Sequence, residues 1–180
     1  VLPHCKLNAS FAETPDIQPG NVALLSQSGA IAVALLDAAR APLLGTAAVI
    51  SMGNKTLTSE VELLHILAHD DTTQVIGLYL ENIADGENFL REAKNLRGKK
   101  PIILLKAGIS SRGAAAVASH TGRLAGSDKA IDAACKEAGI FRAHTFQEFL
   151  ELLRIFSAQP PLLSSSIAIL TNAGGPGVLA

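Results

Sequence analysis

The residues most able to do chemistry lie in the segment AVASHTGRLAGSD, from Ala116 to Asp128. His120 stands there between two hydroxyl residues, and small residues and glycines flank it, so we expect a flexible loop in which the ring can swing. A neutral imidazole is a lone-pair nucleophile near pH 7 and can attack phosphorus. A histidine in a polar loop is more often simply solvated, so the interpretation depends on what the fold places beside it.

Two other parts of the chain could assist such a histidine. Ser28 and Gly29 follow an apolar run and open a helical pattern. The free N–H groups and positive dipole end of a helix favour an anion, and glycine lets the backbone come close to it. Glu81 ends another apolar run and could accept a hydrogen bond from one ring nitrogen of His120, leaving the other as the nucleophile. Taken alone, the first feature is an ordinary strand-to-helix turn and the second a surface charge.

Apolar runs alternate with helical patterns from Asn21 onward and predict the scaffold for these residues. The runs are unbroken, as a parallel sheet covered on both faces requires. Five such units predict an α/β fold: a doubly wound, five-stranded parallel sheet, flavodoxin-like, with order 2-1-3-4-5, or less favourably half of a longer Rossmann sheet. Thr58 or Ser59 should cap the second helix, and Thr145 with Glu148 should form a capping box on the fifth. The predicted strands are 21–26, 45–52, 73–81, 100–108 and 140–143, and the predicted helices are 28–40, 58–70, 85–98, 127–139 and 145–159.

The predicted strand order brings the reactive residues to one edge of the sheet. In an open α/β sheet, ligands bind beyond the carboxyl ends of the strands, where the winding direction reverses. With order 2-1-3-4-5 that crevice lies between strands 1 and 3. The turn at Ser28, the strand end at Glu81 and the loop that carries His120 should therefore meet there. This convergence, rather than any single residue, predicts a phosphoryl-transfer site.

Composition and charge exclude several classes of function. The chain has 180 residues, 48% of them hydrophobic, and a net charge of −1, so it offers no basic surface for nucleic acid or an acidic membrane. No apolar run reaches the roughly 18 residues of a membrane span. Cys5 and Cys135 lack the spacing of a zinc site, so we expect reduced thiols in a cytoplasmic protein.

Other candidate residues have weaker support. His65 and His69 are spaced i, i+4 and could form half of a metal site, but no third ligand is evident, and we predict no metal site in the chain. The SQSGA segment is similar to a hydrolase nucleophile elbow, but the GxSxG pattern needs glycine at the position of Ser26. A serine hydrolase using Ser28 is therefore the weakest alternative.

The two ends of the chain predict neighbouring units. Residues 1–18 show no clear period and are interpreted as the trailing segment of a preceding domain, followed by the central domain at 19–158 and a linker at 159–166. Residues 167–180 contain an apolar strand, a glycine turn with Gly174 and Gly175, and the first residues of a helical pattern. Because one strand needs a sheet, we interpret this segment as the truncated start of a second domain.

Five segments together closely resemble the NDP-forming acyl-CoA synthetases. This family includes ADP-forming acetyl-CoA synthetases and relatives of succinyl-CoA synthetase, and protein lysine acetyltransferases carry the same ligase modules. The resemblance runs from Leu7 to Ala180. In chain order, the segments are GNVALLSQSGA, YLENIADG, KPIILLKAG, SHTGRLAGSD and ILTNAGGPG.

The resemblance implies a phosphoryl relay. Acyl-CoA and phosphate give an acyl phosphate and free CoA, and the phosphoryl group then moves to a loop histidine and on to ADP or another NDP. By its place in the SHTG segment, His120 would be the phosphorylated residue, and Glu81 would orient and stabilise it. The Ser28–Gly29 turn would begin one of two phosphate-facing helices, and the Gly174–Gly175 turn would begin the other.

The resemblance also implies partners outside these residues. A CoA-binding domain would precede Val1, and an ATP-grasp nucleotide-binding domain would lie further on or in another chain. CoA, ATP or ADP and Mg²⁺ would be bound largely by those domains, in an oligomeric assembly. The alternative is an acyl-CoA-sensing regulatory module of a protein lysine acetyltransferase. Some acetyltransferase relatives lack the histidine, so the presence of His120 favours the ligase.

Overall fold

A five-stranded, all-parallel sheet forms the centre of the chain, with the order β2-β1-β3-β4-β5 that the sequence predicts. The computed structural model describes residues 1–13, 17–40, 44–56, 58–108, 128–159 and 168–179. Within those ranges, no helix has both the length and the apolar character needed to cross a membrane. The strands are β1 (Pro19–Ser26), β2 (Thr46–Ser51), β3 (Val75–Leu80), β4 (Ile102–Lys106) and β5 (Phe141–Ala143). The helices are α1 (Gly29–Ala38), α2 (Glu60–Ala68), α3 (Gly86–Leu96), α4 (Asp128–Ala138), α5 (Phe146–Ala158) and α6 (Gly174–Leu179).

Two hydrophobic cores enclose the sheet, one on each face. On one face, Leu35 of α1 and Phe149 of α5 pack with strand residues that include Leu24. On the other, α2, α3 and α4 contribute, and Leu64 packs in a cluster with Leu25. Because neighbouring residues of β1 enter opposite cores, its central run from Val22 to Leu25 is apolar at every position. This two-sided burial explains the unbroken apolar runs in the sequence.

Polar side chains define the helix starts. Ser59 caps α2 in a capping box, and its backbone N–H donates to the Glu62 carboxylate at 2.9 Å. Thr145 caps α5, where its hydroxyl oxygen accepts from the Glu148 N–H at 3.0 Å. In the predicted capping box, the Glu148 carboxylate would accept from the backbone N–H of Thr145. It accepts instead from the His144 N–H at 2.8 Å. The glutamate reaches one residue further back and still satisfies a free donor at the helix start.

The two ends of the chain differ in how they join the sheet. Val1 and Val49 exchange two backbone hydrogen bonds of 2.7 and 2.8 Å, so the N-terminal segment lies along the outer edge of β2. At the other end, the apolar strand predicted at the start of 167–180 is not formed at residues 168–170, which are exposed and outside any strand. An extended segment with no neighbouring strand lacks the ladder that would hold it. The helical pattern predicted at this end is present, but it begins at Gly174, so the glycines predicted as a turn are the first residues of the helix.

Both cysteines are free thiols, as the sequence predicts. Cys5 is exposed, whereas Cys135 is buried on α4. Burial raises the pKa of Cys135 to about 11, so its thiol is protonated and unreactive near neutral pH. Cys135 therefore acts as a small apolar core residue.

Gly77 lies in the middle of β3, beneath α5, and generates a stability prediction. A Cβ there would lie 2.9 Å from side-chain atoms of Leu24 and Leu153 and 3.0 Å from Phe149, all fully buried. Gly77→Ala is expected to lower the free energy of unfolding by about 1–3 kcal/mol, because the packed core must shift. Urea unfolding followed by circular dichroism measures this loss. Gly86→Ala is the control, because no atom lies within 4 Å of its Cβ position; equal effects of the two variants would contradict the prediction.

Candidate functional site

The turn after β1 presents the start of α1. The Ser26 hydroxyl donates to the Ser28 carbonyl at 2.7 Å and accepts from the Ser28 N–H at 3.2 Å. The Ser28 hydroxyl oxygen in turn accepts from the Ile31 N–H at 3.4 Å and caps the helix. Gly29 is the first helical residue, and no heavy atom of the described residues lies within 4 Å of the position its Cβ would take. As far as those residues are concerned, the helix N-terminus has room for an anion to approach the backbone.

Gln27 joins this turn to the end of β3. Its side chain is buried, and its backbone N–H donates to the Tyr79 carbonyl at 3.0 Å. Its side-chain Oε1 accepts from the N–H of Glu81 at 2.9 Å and from the N–H of Asn82 at 3.1 Å. The main chain and the side chain of Gln27 thus both join the end of β1 to the end of β3. Sequence reasoning missed Gln27, because a glutamine after a strand follows no distinctive pattern.

Glu81 follows β3 directly, as predicted, but it is not a surface charge. Only 9% of the residue is exposed. Its carbonyl accepts a hydrogen bond of 2.6 Å from the Lys106 ammonium. Burial raises the pKa of Tyr79, and the nearby negative charge of Glu81 adds to this increase. Hydrogen bonds to a carboxylate are stronger in such surroundings than in water, which suits a glutamate that orients another group.

Lys106, the last residue of β4, is a buried cation beside Glu81 and is only 3% exposed. Its Nζ also donates to the Ala107 carbonyl at 2.6 Å. Burial lowers the pKa of Lys106, and the positive charge of Arg142 acts in the same direction, while Glu81 opposes the shift. Sequence reasoning missed Lys106 too, because its only signal was a lysine at the end of an apolar run.

A buried ion pair lies next to the same strand end. Lys55 Nζ is 2.9 Å from Glu60 Oε2, and the two side chains are 5% and 1% exposed. The Lys55 ammonium also donates to the Asn82 carbonyl at 2.6 Å. Lys55 has a φ of 55°, a left-handed conformation that is uncommon outside glycine. The connection between β2 and α2 is thereby joined to the end of β3.

His120 lies outside the described residues, in the segment 109–127, but the structure describes both flanks of that segment. The upstream flank is fixed to the sheet beyond the end of β4. The Ala107 N–H donates to the Leu80 carbonyl at 2.9 Å, and the Ala107 carbonyl accepts from Lys106. The last described residues before the segment therefore lie at the carboxyl edge of the sheet.

The downstream flank is held by Arg142 of β5. Its guanidinium, in a side chain only 5% exposed, forms ion pairs with Asp128 and Asp132 of α4. Burial opposes the charged guanidinium, but the hydrogen bonds to the two carboxylates outweigh that effect and raise the pKa of Arg142. Since α4 follows β4 and begins at the same edge, the first described residues after the segment lie at the edge that carries Glu81.

The structure brings some of the predicted site residues together and leaves others apart. Ser26 pairs with Tyr79 in the parallel register, so the Ser28–Gly29 turn and Glu81 lie just beyond neighbouring strand ends. Gly174 and Gly175 lie in the exposed first turn of α6, where no heavy atom from the described part of the chain is within 4 Å of either Cβ position. These two glycines are therefore not packed against the turn after β1.

The two histidines near the end of α2 contact each other and their own helix. The rings of His65 and His69 are 5.1 Å apart, and a 2.9 Å hydrogen bond joins His69 Nδ1 to the His65 carbonyl. The Glu92 carboxylate lies 3.6 Å from His65 Nδ1. Among the residues that the structure describes, no group of three or more His, Cys, Asp or Glu side chains could hold a metal ion.

The fold and the carboxyl-edge residues define a flavodoxin-like α/β domain with a candidate anion site between its first and third strands. Residues 19–156 match the family model of the succinyl-CoA ligase like flavodoxin domain. The chain belongs to this family, which confirms the resemblance drawn from the sequence.

Relatives with described activities are much longer than this chain. Over 180 residues it is 46% identical to the alpha subunit of acetate–CoA ligase (ADP-forming) I of Pyrococcus furiosus, and it covers 39% of that protein. Over 176 residues it is 44% identical to 4-hydroxybutyrate–CoA ligase (ADP-forming) of Nitrosopumilus maritimus, and it covers 25% of that protein.

A solved structure extends the similarity to three dimensions. The acetyl-coenzyme A synthetase 1 of Ca. Korarchaeum cryptofilum, described as dinucleotide forming and in complex with phosphate and ADP, superposes with a TM-score of 0.90 at 38% identity. The match covers 99% of this chain and 39% of that one. The chain therefore spans well under half the length of the relatives that it matches.

The Lys55–Glu60 pair generates a prediction about stability. Lys55→Met is expected to lower the free energy of unfolding by about 3–5 kcal/mol, because it leaves the Glu60 carboxylate buried without its partner. The double variant Lys55→Met/Glu60→Gln should lose less than the two single variants added together. A double-mutant cycle from urea unfolding measures the difference; additive losses would show that the two side chains do not stabilise each other.

Proposed function

We propose that this chain is the phosphohistidine-carrying domain of an NDP-forming acyl-CoA synthetase. In a protein that has the complete set of domains, the reaction would be acid, CoA and ATP giving acyl-CoA, ADP and phosphate, in either direction. One observation carries the proposal: the buried Glu81, the Ser28–Gly29 helix start and both flanks of the segment that holds His120 lie at one edge of the sheet.

The central step is phosphoryl transfer to His120. The unprotonated ring nitrogen attacks the phosphorus of an acyl phosphate, a P–N bond forms, the P–O bond to the acyl group breaks, and the carboxylate leaves with that electron pair. The proton on the other ring nitrogen stays on the ring. The Glu81 carboxylate accepts its hydrogen bond and stabilises the positive charge that develops on the imidazole.

The second transfer regenerates the histidine. An oxygen of the terminal phosphate of ADP attacks phosphorus, the P–N bond breaks, and the ring returns to its neutral form. The N–H groups at the start of α1 would hold the phosphate oxygens next to His120, because a helix N-terminus favours negative charge. Gly174 and Gly175 would begin the second helix that faces a phosphate.

The remaining components would come from beyond these residues. Residues 1–18 would trail from a CoA-binding domain, 159–166 would be a linker, and 167–180 would open a further ligase domain, with an ATP-grasp domain completing an oligomeric enzyme. Neutralisation of the nucleotide phosphates is the chemistry that Mg²⁺ supplies when bound, and the described residues hold no cluster of three or more His, Cys, Asp or Glu side chains for it. The use of CoA and nucleotides, together with two free thiols, supports a cytoplasmic location.

The similar proteins favour a ligase over a regulatory module. The relatives described above are named as CoA ligases, and the solved structure with phosphate and ADP is named as an acetyl-coenzyme A synthetase. None of these names refers to a protein acetyltransferase. Acetate and 4-hydroxybutyrate both occur among these names, so the relatives differ in the acid that they are named for.

The carrier role of His120 is tested by labelling the complete protein with γ-labelled ATP and Mg²⁺. Wild type should acquire acid-labile, base-stable label, and His120→Ala should acquire none, because no ring nitrogen remains to form the P–N bond. Glu81→Gln should label at least about tenfold more slowly, because the imidazolium loses its charged partner. Equal labelling of wild type and His120→Ala would overturn the proposal, and full activity of Glu81→Gln would remove Glu81 from the mechanism.

Gly29 tests the phosphate-binding role of α1. Gly29→Ala should leave the free energy of unfolding unchanged or slightly increased, because its Cβ meets no atom of the described residues and alanine favours a helix. The added methyl group should obstruct the phosphate and raise its KM by about 3- to 30-fold. Gly86→Ala is the control, since Gly86 also begins a helix and has open space around its Cβ position. A phosphate KM at the wild-type value in Gly29→Ala would contradict this role.

A further inference from the structure

The dipeptide Glu81–Asn82 has an unusual environment, because buried side chains hold all four of its main-chain polar groups. The Gln27 amide oxygen accepts from both N–H groups. The Lys106 ammonium donates to the Glu81 carbonyl, and the Lys55 ammonium donates to the Asn82 carbonyl, each at 2.6 Å. The backbone that carries Glu81 is therefore held from β1, from β4 and from the connection after β2.

Gln27 is chemically suited to this role. Its Oε1 lies 2.9 Å from the Glu81 nitrogen and 3.1 Å from the Asn82 nitrogen. Both of these nitrogens are donors, so only the oxygen of the amide can face them, and the orientation of the amide group is determined. The side chain is 8% exposed, so water does not readily replace it.

Lys106 holds Glu81 from the opposite neighbouring strand. Its Nζ donates to the carbonyls of Glu81 and Ala107, both at 2.6 Å, and the residue is 3% exposed. Leu80 and Lys106 are paired in the parallel register of β3 and β4. The ammonium thus joins the end of β3 to the residue at which the His120 segment leaves β4.

We propose that Gln27 and Lys106 are positioning residues that fix the main chain of Glu81, and through it the glutamate that orients His120. The inference rests on the proposed function and deepens it. Neither side chain needs to touch the substrate. An error of about 1 Å in the placement of a catalytic group can slow a reaction about 100-fold, so the accuracy of this hold matters for catalysis.

The competing explanation is that Gln27 and Lys106 only stabilise the fold. Lys100 provides the matched control for this explanation. Its Nζ donates to the carbonyls of Leu67 and Asp70 at 2.7 and 2.6 Å, so it also holds two main-chain carbonyls. It precedes β4 and so lies at the amino edge of the sheet, away from Glu81. Lys100→Met should lower the melting temperature without slowing phosphorylation.

The test measures the single-turnover rate of phosphohistidine formation per folded molecule in the complete protein, with KM for nucleotide and the melting temperature determined in parallel. Gln27→Met and Lys106→Met should each slow the step about 10- to 100-fold with little change in nucleotide KM. Lys106→Arg, which keeps a cationic donor, should recover most of the rate. Gln27→Asn keeps the amide on a shorter side chain and tests the same contact if Gln27→Met does not fold.

The outcomes separate this inference from the proposed function. Wild-type rates in both Gln27→Asn and Lys106→Met would overturn the positioning role, as would an equal slowing in Lys100→Met. If Glu81→Gln is slow while the positioning variants are not, the proposed function stands and the inference fails. If wild-type protein forms no phosphohistidine, the proposed function fails and the inference fails with it.

Discussion

Burial of the sheet on both faces is the constraint on which the rest of the structure depends. Such strands have no solvent-facing side, so polar chemistry can lie only at their ends. At the carboxyl edge, the main-chain groups that leave the ladder must still find partners, because an unpaired buried donor or acceptor is costly. Gln27, Lys55 and Lys106 supply those partners. The requirement that keeps water out of the two cores thus also concentrates polar side chains around Glu81.

Much of the fold could be predicted because its signals are local or topological. Unbroken apolar runs identified the strands, and the handedness of βα units limited the possible orders, of which the predicted one is observed. That order placed Ser28, Gly29 and Glu81 at neighbouring strand ends. The apolar strand predicted at the start of 167–180 is not formed at residues 168–170, because a strand depends on a neighbour that the local sequence cannot supply.

The polar contacts around Glu81 could not be predicted for a different reason. Gln27 and Lys106 belong to residue types that are usually exposed, and sequence patterns favour a solvated position for them. Their partners are main-chain atoms 54 and 25 residues away, and those atoms are the same in every sequence. Only the three-dimensional structure shows that Glu81 is buried rather than a surface charge. The role of His120 stays a prediction, since it lies outside the described residues.

The anchoring of Asp128 by Arg142 fixes a point of the chain that bounds the position of His120. Asp128 is eight positions after His120 in the sequence, and a fully extended chain advances at most about 3.6 Å per residue, so their α-carbons can be no more than about 29 Å apart. Under the proposed function, every group that exchanges phosphate with His120 must meet it within about that distance of Asp128. If the Arg142 ion pairs opened, the first fixed residue would lie further along α4 and this limiting distance would grow. The guanidinium of Arg142 thus determines the point of the fold from which the distance is counted.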